Sequence, residues 1–441
     1  MIKLHKKYGP VLRIAPDELS YASAQAWQDI YGQTFANRTA DLEKDRSWYM
    51  VASNGVDSII TAPFDVHYRF RRLLQVPLSD RALVQQERLI QGYIDLLIQR
   101  LHENAATKDD PQKRLDVVQW IVYTCFDVLG DLAFGESFGC LDRGESHWWI
   151  NDIQEGVKAA FKIKTIERFI PGFFSLFMKV MILVGTAMAK NPEENFNFCA
   201  LKARARLARS SDRPDFITYI SEANKQNQDM TKDEIESNSQ VLINAGTEPV
   251  ATATCGVLFH LASHPEALAK AVKEIRSSFS SEADMTISAT QQLPYLRAVI
   301  EEGMRMYPPA PSTFPRTTPA SGCTICGEFV PGGYSVGVNQ SAVMSSDAIW
   351  VQPDRYAPER WLQDPEFAVD DKKAYQPYSF GGRNCIGKSL AQAEMRLIIS
   401  RILWSFDIQI ASESRNWNVG QKTNAFWEKP PMYVTLTPVV R

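Results

Sequence analysis

A glycine-rich turn that leads into a cysteine and then a helix constrains this chain more than any other feature. The segment reads YSFGGRNCIGKSLAQAEMR over residues 378–396, and the helical pattern begins at Cys385. Gly381 and Gly382 permit a tight turn with backbone angles that other residues avoid. A thiolate at a helix N-terminus faces unpaired N–H groups and the positive end of the helix dipole, which lower its pKa. We therefore predict that Cys385 is a ligand for a soft metal ion.

The cation two residues earlier indicates which metal group this is. Arg383 stands beside Cys385 in the spacing Gly-x-Arg-x-Cys-x-Gly. A flat tetrapyrrole with two carboxylates requires such a cation, and haem iron can be held by one axial Cys thiolate. The alternative is a buried cysteine at a glycine-rich turn, but the spacing favours the ligand. We predict haem b as cofactor, with Cys385 on the iron.

Length, charge and apolar periodicity indicate the fold class. The 441 residues carry a formal net charge of -3 and contain no Pro/Gly/Ser tract or repeat that would mark a linker. Apolar residues recur at helical spacing from residue 80 to about 104, at 115–134, at 150–190 and at 232–280. Residues 310–340 and a final hairpin over 415–440 have strand and turn patterns. We predict one large domain over residues 1–441, mainly α with small β-sheets, and no nucleic-acid partner.

Seven cysteines at irregular spacing favour a reduced compartment over a disulfide framework. Cys323 and Cys326 have the spacing of a metal or redox pair. No second pair follows them, and their segment alternates like a β-hairpin, so we predict that both are structural.

Two further sets of charged residues have a spacing that suggests specific contacts. Glu302 and Arg305 lie three residues apart on one helix face, and Arg360 in APERW is able to join them in a buried triad. Such a triad serves architecture more than stability. His67 and Arg71 lie four residues apart, on a face that is either solvated or directed at haem propionates. Arg316 in TFPRTTP is a further candidate for propionate binding.

Together these segments resemble the cytochrome P450 family of haem-thiolate monooxygenases, over nearly the whole chain. The sequences of the segments KYGPVLRIAPDELSY and PERWL are similar to those of family members from fungal secondary metabolism. The resemblance implies the cytochrome P450 fold, a proximal iron ligand at Cys385 and a fold-stabilising triad. The haem contacts that it implies are His67, Arg71, Arg316, Arg383, Ala245, Tyr378 and Gly387.

The chain departs from the family pattern at two positions. Tyr378 stands where the cysteine loop usually starts with Phe, so its hydroxyl needs a partner. The segment INAGTEPVATAT has Pro249 where the family's distal helix carries an alcohol that supports proton delivery. Glu248 remains as the acid, and Thr252 lies one turn further on. We predict that Glu248, Pro249 and Thr252 are the catalytic positions of this helix; alternatively, Pro249 is a kink without catalytic meaning.

Three functions are consistent with these residues. The first is an oxygen insertion from O2 into a hydrophobic secondary-metabolite substrate, with NADPH electrons delivered by a reductase-type flavoprotein. The second is a haem-thiolate enzyme for rearrangement, cyclisation, dehydration or desaturation, because the distal hydroxyl is absent at Pro249. The third is a haem-binding sensor or carrier without catalysis, against which the retained Glu248 argues.

By analogy with the family, apolar side chains from several segments line the substrate pocket. They suit a terpenoid, polyketide or alkaloid intermediate. The candidates are Phe161, Phe173, Phe177, Ile243, Phe314, Ala425 and Phe426.

Membrane contact and cellular location depend on the N-terminus. Family relatives carry an anchor helix just before a segment like LHKKYGP, near which this chain begins. With an anchor we expect the cytosolic face of the endoplasmic reticulum membrane, and without one the cytoplasm. The apolar run from Phe173 to Ala189 is interrupted by Lys179, so we expect it to lie at a membrane surface or line a cavity rather than span. We also expect a monomer.

Overall fold

Helices form most of the computed structural model. It describes residues 1–32, 42–170, 172, 176, 191–209, 213, 215–227 and 230–440. The described helices are α1 (Ile2–Tyr8), α2 (Ala24–Tyr31), α3 (Phe64–Leu74), α4 (Asp80–Asn104), α5 (Val117–Phe134), α6 (Cys140–Arg143), α7 (Trp148–Phe169), α8 (Asn191–Leu207), α9 (Phe216–Asn227), α10 (Lys232–Ser263), α11 (Pro265–Ser278), α12 (Ile287–Gln291), α13 (Pro294–Met306), α14 (Gln340–Met344) and α15 (Lys388–Ser405).

The strands are short and form small sheets, as predicted. They are β1 (Val11–Ala15), β2 (Glu18–Tyr21), β3 (Glu43–Lys44), β4 (Leu115–Asp116), β5 (Arg316–Thr317), β6 (Cys323–Ile325), β7 (Glu328–Val330), β8 (Ser335–Val338), β9 (Phe406–Ile410), β10 (Thr423–Asn424), β11 (Phe426–Trp427) and β12 (Tyr433–Pro438). In one sheet β1, β2, β8 and β5 lie side by side, with β2 parallel to β8. β12 pairs antiparallel with β9 and β4.

Helix α4 illustrates how the apolar period forms an element. Ile90, Ile94, Leu97 and Leu101, spaced four, three and four apart, are all buried on one face. Burying each such side chain contributes about 1.5–3 kcal/mol. The helix runs from Asp80 to Asn104, the span that the periodicity predicts.

Contacts divide the chain into two compact units. The first comprises Met1–Leu42, Glu87–Cys125 and Glu248–Arg441, and the second comprises Glu43–Gln86 and Phe126–Thr247. In the first unit an apolar core includes Trp27, Val338 and Trp350. In the second, Phe126 stacks on Phe138, and Trp149 contacts Phe138 edge to face.

Two local predictions have clear outcomes. Cys323 and Cys326 lie on and just after β6 of the β6–β7 hairpin, in agreement with a structural role. The predicted final hairpin is only partly correct. β10 and β11 do form a hairpin, but the last strand, β12, pairs with β9 and β4. An alternating pattern identifies a strand but does not encode which distant strand it pairs with.

Within the described residues, one helix is long and apolar enough to cross a membrane. It is Val117–Phe134, and 89% of it is buried, as in the core helix of a folded protein. The apolar run over residues 173–189 lies, apart from Leu176, outside the described residues.

Candidate active site

The cysteine loop is closed by backbone hydrogen bonds. The Cys385 amide donates to the Tyr378 carbonyl at 2.8 Å, and Ser379 and Gly381 take left-handed backbone angles, with φ of 61° and 75°. Helix α15 then begins at Lys388, after Gly387 at its N-cap, three residues later than the sequence pattern indicates. Of the seven cysteines, all of which the structure describes, Cys385 is the exposed one. Cys385 is therefore solvent-accessible next to the first turn of a helix.

Tyr31, at the end of α2, supports this loop and was missed by sequence reasoning. A Cβ added at Gly381 would overlap the Tyr31 carbonyl oxygen, so the two backbones touch. The Tyr31 hydroxyl donates to the Phe314 carbonyl at 2.8 Å and accepts from the Val338 amide at 3.2 Å. Burial raises the pKa of Tyr31 to about 12, which keeps this donor protonated. Nothing in the local sequence of α2 distinguishes this tyrosine from a core residue.

Arg316 lies next to the same tyrosine. Its guanidinium is 5.5 Å from the centroid of the Tyr31 ring, and the side chain is 7% exposed. Its Nε has no hydrogen-bond partner among the described residues. A buried guanidinium N–H without an acceptor is costly, so a carboxylate ligand would be stabilised there. Arg383, half-buried, belongs to the cysteine loop itself.

The hydroxyl of Tyr378, where the family pattern has Phe, is buried without a hydrogen-bond partner among the described residues. Burial, followed by the charges of Glu301 and Cys385, raises its pKa well above the usual value.

We expect Tyr378→Phe to raise the free energy of unfolding by about 1 kcal/mol, because a buried unsatisfied donor is removed at constant ring volume. Urea denaturation measures this. The matched variant Tyr31→Phe loses two hydrogen bonds and should be destabilised by about 1–2 kcal/mol. A loss of stability in Tyr378→Phe would mean that this hydroxyl does have a partner.

The three charged residues predicted to form a triad meet in the structure. Arg305 donates to Glu302 through Nε at 2.9 Å and through Nη2 at 2.8 Å, and Arg360 Nε lies 3.3 Å from Glu302 Oε1. All three side chains are at most 1% exposed. Asp370 pairs with Arg360, and Trp361 Nε1 donates to Glu302 at 3.0 Å. These last two partners were not predicted, since neither has a regular sequence spacing to the triad.

Helix α10 continues through Pro249 without a break. Ala245 is exposed, Pro249 is half-buried, and the two lie four residues apart on one face. Gly246 packs against Leu129 so closely that a Cβ would overlap the leucine side chain.

Glu248 and Thr252 lie on another face of α10 and are buried. The Thr252 hydroxyl donates to Glu248 Oε1 at 3.4 Å. Lys429, which sequence reasoning missed, donates to Glu248 Oε1 and, at 2.8 Å, to Thr252 Oγ1. A single lysine before two prolines carries no sequence signal that would connect it to a helix 177 residues earlier.

The remaining predicted residues lie in different places. In the first unit, Phe314 is 37% exposed, and Ala425 and Phe426 are half-buried at the β10–β11 turn, where Ala425 has φ of 69°. In the second unit, Phe161 is half-buried on α7, whereas Ile243 is fully buried on α10. Ile243 thus faces the packed side of its helix, and the role of these side chains as substrate contacts stays a prediction. Phe173 and Phe177 lie outside the described residues.

His67 and Arg71 lie on α3, in the second unit. His67 is buried and Arg71 is half-buried. Their role as propionate contacts stays a prediction.

A buried carboxyl follows on α15. Glu394 is 3% exposed, and burial raises its pKa from 4.5 to about 8. Because the folded-state pKa lies above the unfolded value, the folded state binds the extra proton between pH 4.5 and 8. The contribution of Glu394 to the free energy of unfolding is fully present below about pH 4.5 and is lost as the pH rises through 8.

We therefore expect Glu394→Gln to remove the contribution of this carboxyl to the pH dependence of the free energy of unfolding. Between pH 6.5 and 8 the parent should lose about 2 kcal/mol more stability than the variant. Denaturant titrations at both pH values measure it. Cys125, a neighbour whose thiol pKa burial raises well above the usual value, does not titrate in this window. Equal slopes for parent and variant would contradict the prediction.

Comparison with known proteins identifies the class. Residues 1–436 match the family model "Cytochrome P450". The chain is 47% identical over 437 residues to cytochrome P450 monooxygenase aclL of Aspergillus oryzae, covering 99% of this chain and 87% of that protein. It is 39% identical to cytochrome P450 monooxygenase atr2 of Stereocaulon alpinum, covering 100% and 85%, and 38% identical to averantin hydroxylase of Dothistroma septosporum, covering 99% and 81%. The chain belongs to the cytochrome P450 family, whose members are haem-thiolate oxidoreductases.

The residues of the first unit fit a haem. The exposed Cys385 thiol offers one ligand, and the buried Arg316 Nε lacks an acceptor among the described residues. The described part of the chain contains no group of three or more His, Cys, Asp or Glu side chains able to hold a metal. This donor set suits an iron that a porphyrin already holds and that takes one protein ligand.

Proposed function

We propose that this protein is a monooxygenase that inserts one oxygen atom of O2 into a hydrophobic small molecule, in which Cys385 would bind the iron of haem b. The observation that carries this proposal is the exposed thiol of Cys385 in a rigid, glycine-rich turn at the N-terminus of α15. Arg316 and Arg383 would bind propionates, and His67 and Arg71 are the candidates from α3. When bound, the haem supplies oxygen activation and C–H oxidation.

The protein's own residues orient ligands and control protons. Glu248 Oε1 accepts hydrogen bonds from two neighbouring side chains, so this carboxylate is a fixed site at which a proton can be held. Pro249 cannot donate a hydrogen bond from its side chain or its backbone. Proton transfer would therefore run through Glu248 rather than through residue 249.

The substrate that we propose is an aromatic or otherwise apolar secondary metabolite. Support comes from the exposed Phe314 and from Phe426 at the strained Ala425 turn. Averantin hydroxylase, at 38% identity, acts by its name on averantin, which makes averantin a suitable first probe. NADPH electrons would arrive through a reductase-type flavoprotein, and the monomer would contact the endoplasmic reticulum membrane surface.

Turnover with 18O2 tests the function. The reconstituted protein is given averantin, or a ligand from a spectral-shift screen if averantin does not bind, together with NADPH and reductase. We expect 18O in the product and a thiolate-type reduced carbon monoxide spectrum that Cys385→Ala abolishes. Product formed without NADPH would instead support the rearrangement chemistry that the absent hydroxyl at Pro249 motivates. Haem binding without any turnover would support a sensor or carrier.

A further inference from the structure

Lys429, from the C-terminal part of the chain, contacts Glu248 on helix α10. The Lys429 ammonium contacts Glu248 Oε1 and lies 2.8 Å from Thr252 Oγ1, while Thr252 lies 3.4 Å from the same carboxylate oxygen. The Lys429 side chain is 3% exposed and that of Glu248 is 11% exposed. Three polar groups thus form a largely buried network in which two donors converge on one oxygen.

The backbone on both sides of Lys429 is held in place. Before it, Trp427 Nε1 donates to the Pro308 carbonyl at 2.8 Å. After it, the Pro430 carbonyl accepts from Trp417 Nε1, also at 2.8 Å. Two consecutive prolines restrict the chain further. The lysine therefore presents its charge from a rigid segment, which is what a residue that positions another side chain requires.

Three titratable groups near this network are uncharged, and a fourth, Asp116, is held by backbone N–H groups. Burial raises the thiol pKa of both Cys125 and Cys255, and it also raises the pKa of the Tyr307 hydroxyl, so all three are neutral at pH 7. The carboxyl of Asp116 accepts backbone N–H groups from Met432 and Val118. Lys429 and Glu248 therefore interact in a weakly polar setting, where electrostatic effects are strong.

A purely structural role explains this arrangement poorly. A buried ion pair must overcome the desolvation of both charges, and well-packed apolar side chains often stabilise a fold as much. Here the pair is next to Pro249, where the family pattern has a hydroxyl and this chain has none. Thr252, held by Lys429, brings a hydroxyl back to the acid one turn later.

We propose that Lys429 is a positioning residue for proton delivery, which holds Glu248 in one orientation and, with Thr252, replaces the hydroxyl absent at Pro249. The proposal rests on the monooxygenase function above. In this arrangement Lys429 and Thr252 fix the orientation in which the Glu248 carboxylate relays protons that water supplies. Lys429 acts through its contacts with Glu248 and Thr252.

The test is a mutant cycle of Lys429→Met, Glu248→Gln and the double variant, assayed with NADPH, reductase and averantin, or with 7-ethoxycoumarin if averantin is not turned over. We expect Lys429→Met to lower kcat by roughly tenfold, to raise the fraction of NADPH electrons that appears as hydrogen peroxide, and to change the solvent deuterium isotope effect. KM and the reduced carbon monoxide spectrum should stay as in the parent. The double variant should be no worse than Glu248→Gln, because Lys429 acts through Glu248.

A matched control is Lys422→Met, an exposed lysine of the same segment, which should change none of these values. Urea unfolding of all variants gives a readout that is independent of activity, in which the two single substitutions should be non-additive. A Lys429→Met protein with lower stability but unchanged peroxide fraction and isotope effect would overturn the proposal and leave the monooxygenase function intact. A parent that incorporates no 18O would instead overturn the proposed function, and this proposal with it.

Discussion

Glu302→Gln is expected to lower the free energy of unfolding by about 3–5 kcal/mol, the usual cost of removing one partner of a buried ion pair. The reason is the number of donors that depend on this carboxylate. Arg305 and Arg360 direct N–H groups at it, and so do the Ala357 amide at 3.1 Å and Trp361 Nε1. The glutamine amide group can accept only part of these bonds and removes the carboxylate with which the buried Arg305 pairs, whereas Arg360 keeps its ion pair with Asp370.

Urea denaturation at pH 7 measures this loss. The matched control is Glu366→Gln, because Glu366 pairs with Arg355 at 2.6 Å, but with side chains 39% and 50% exposed. An exposed pair of this kind contributes about 1 kcal/mol or less. Equal losses in the two variants would mean that the triad is no more important than a surface ion pair.

Gly381→Ala is expected to be the most damaging single-methyl change in the cysteine loop. Gly381 has φ of 75°, a region that costs other residues about 1–2 kcal/mol, and the new Cβ would overlap the Tyr31 carbonyl. Overpacking against a backbone atom adds about 1–3 kcal/mol. We therefore expect a loss of about 2–5 kcal/mol, together with a weakened thiolate-type carbon monoxide spectrum, because the loop would have to move away from α2.

Gly333→Ala separates the cost of the positive φ from the cost of the overlap with the Tyr31 carbonyl. Gly333 has a similar φ of 80°, but no atom lies within 4 Å of the position that its Cβ would take. The free energy of unfolding of this variant should therefore fall only by the cost of the positive φ, about 1–2 kcal/mol, and its carbon monoxide spectrum should stay as in the parent. If Gly381→Ala is no worse than Gly333→Ala, the contact with Tyr31 does not constrain the loop.

Short-range patterns in the chain predicted a large part of the fold. The apolar period predicted α4 from Asp80 to Asn104, and the alternation around Cys323 predicted a hairpin. The three-residue spacing of Glu302 and Arg305 predicted their contact. These predictions succeeded because they depend on one element's geometry, in which residues three or four apart share a helix face and alternate residues share a strand face.

Contacts between distant segments were beyond such patterns. Helix periodicity placed Ile243 on α10, but only the fold puts it on the packed side and leaves Ala245 exposed. The alternation in β12 indicated a strand but not its pairing with β9 and β4. In each case the answer depends on which other element covers a given face.

The cysteine loop and helix α10 show which features of the site the sequence predicted and which ones required the tertiary structure. Residue types and spacing predicted Cys385 as a metal ligand on a glycine-rich turn, because turn geometry and metal ligation are local chemistry, and the resemblance to the family indicated the absence of a hydroxyl at residue 249. The tertiary structure added Tyr31 beneath the loop and Lys429 on Glu248. Neither partner has a fixed sequence distance from its target, since side chains that meet across a fold are brought together by packing rather than by the period of any one element.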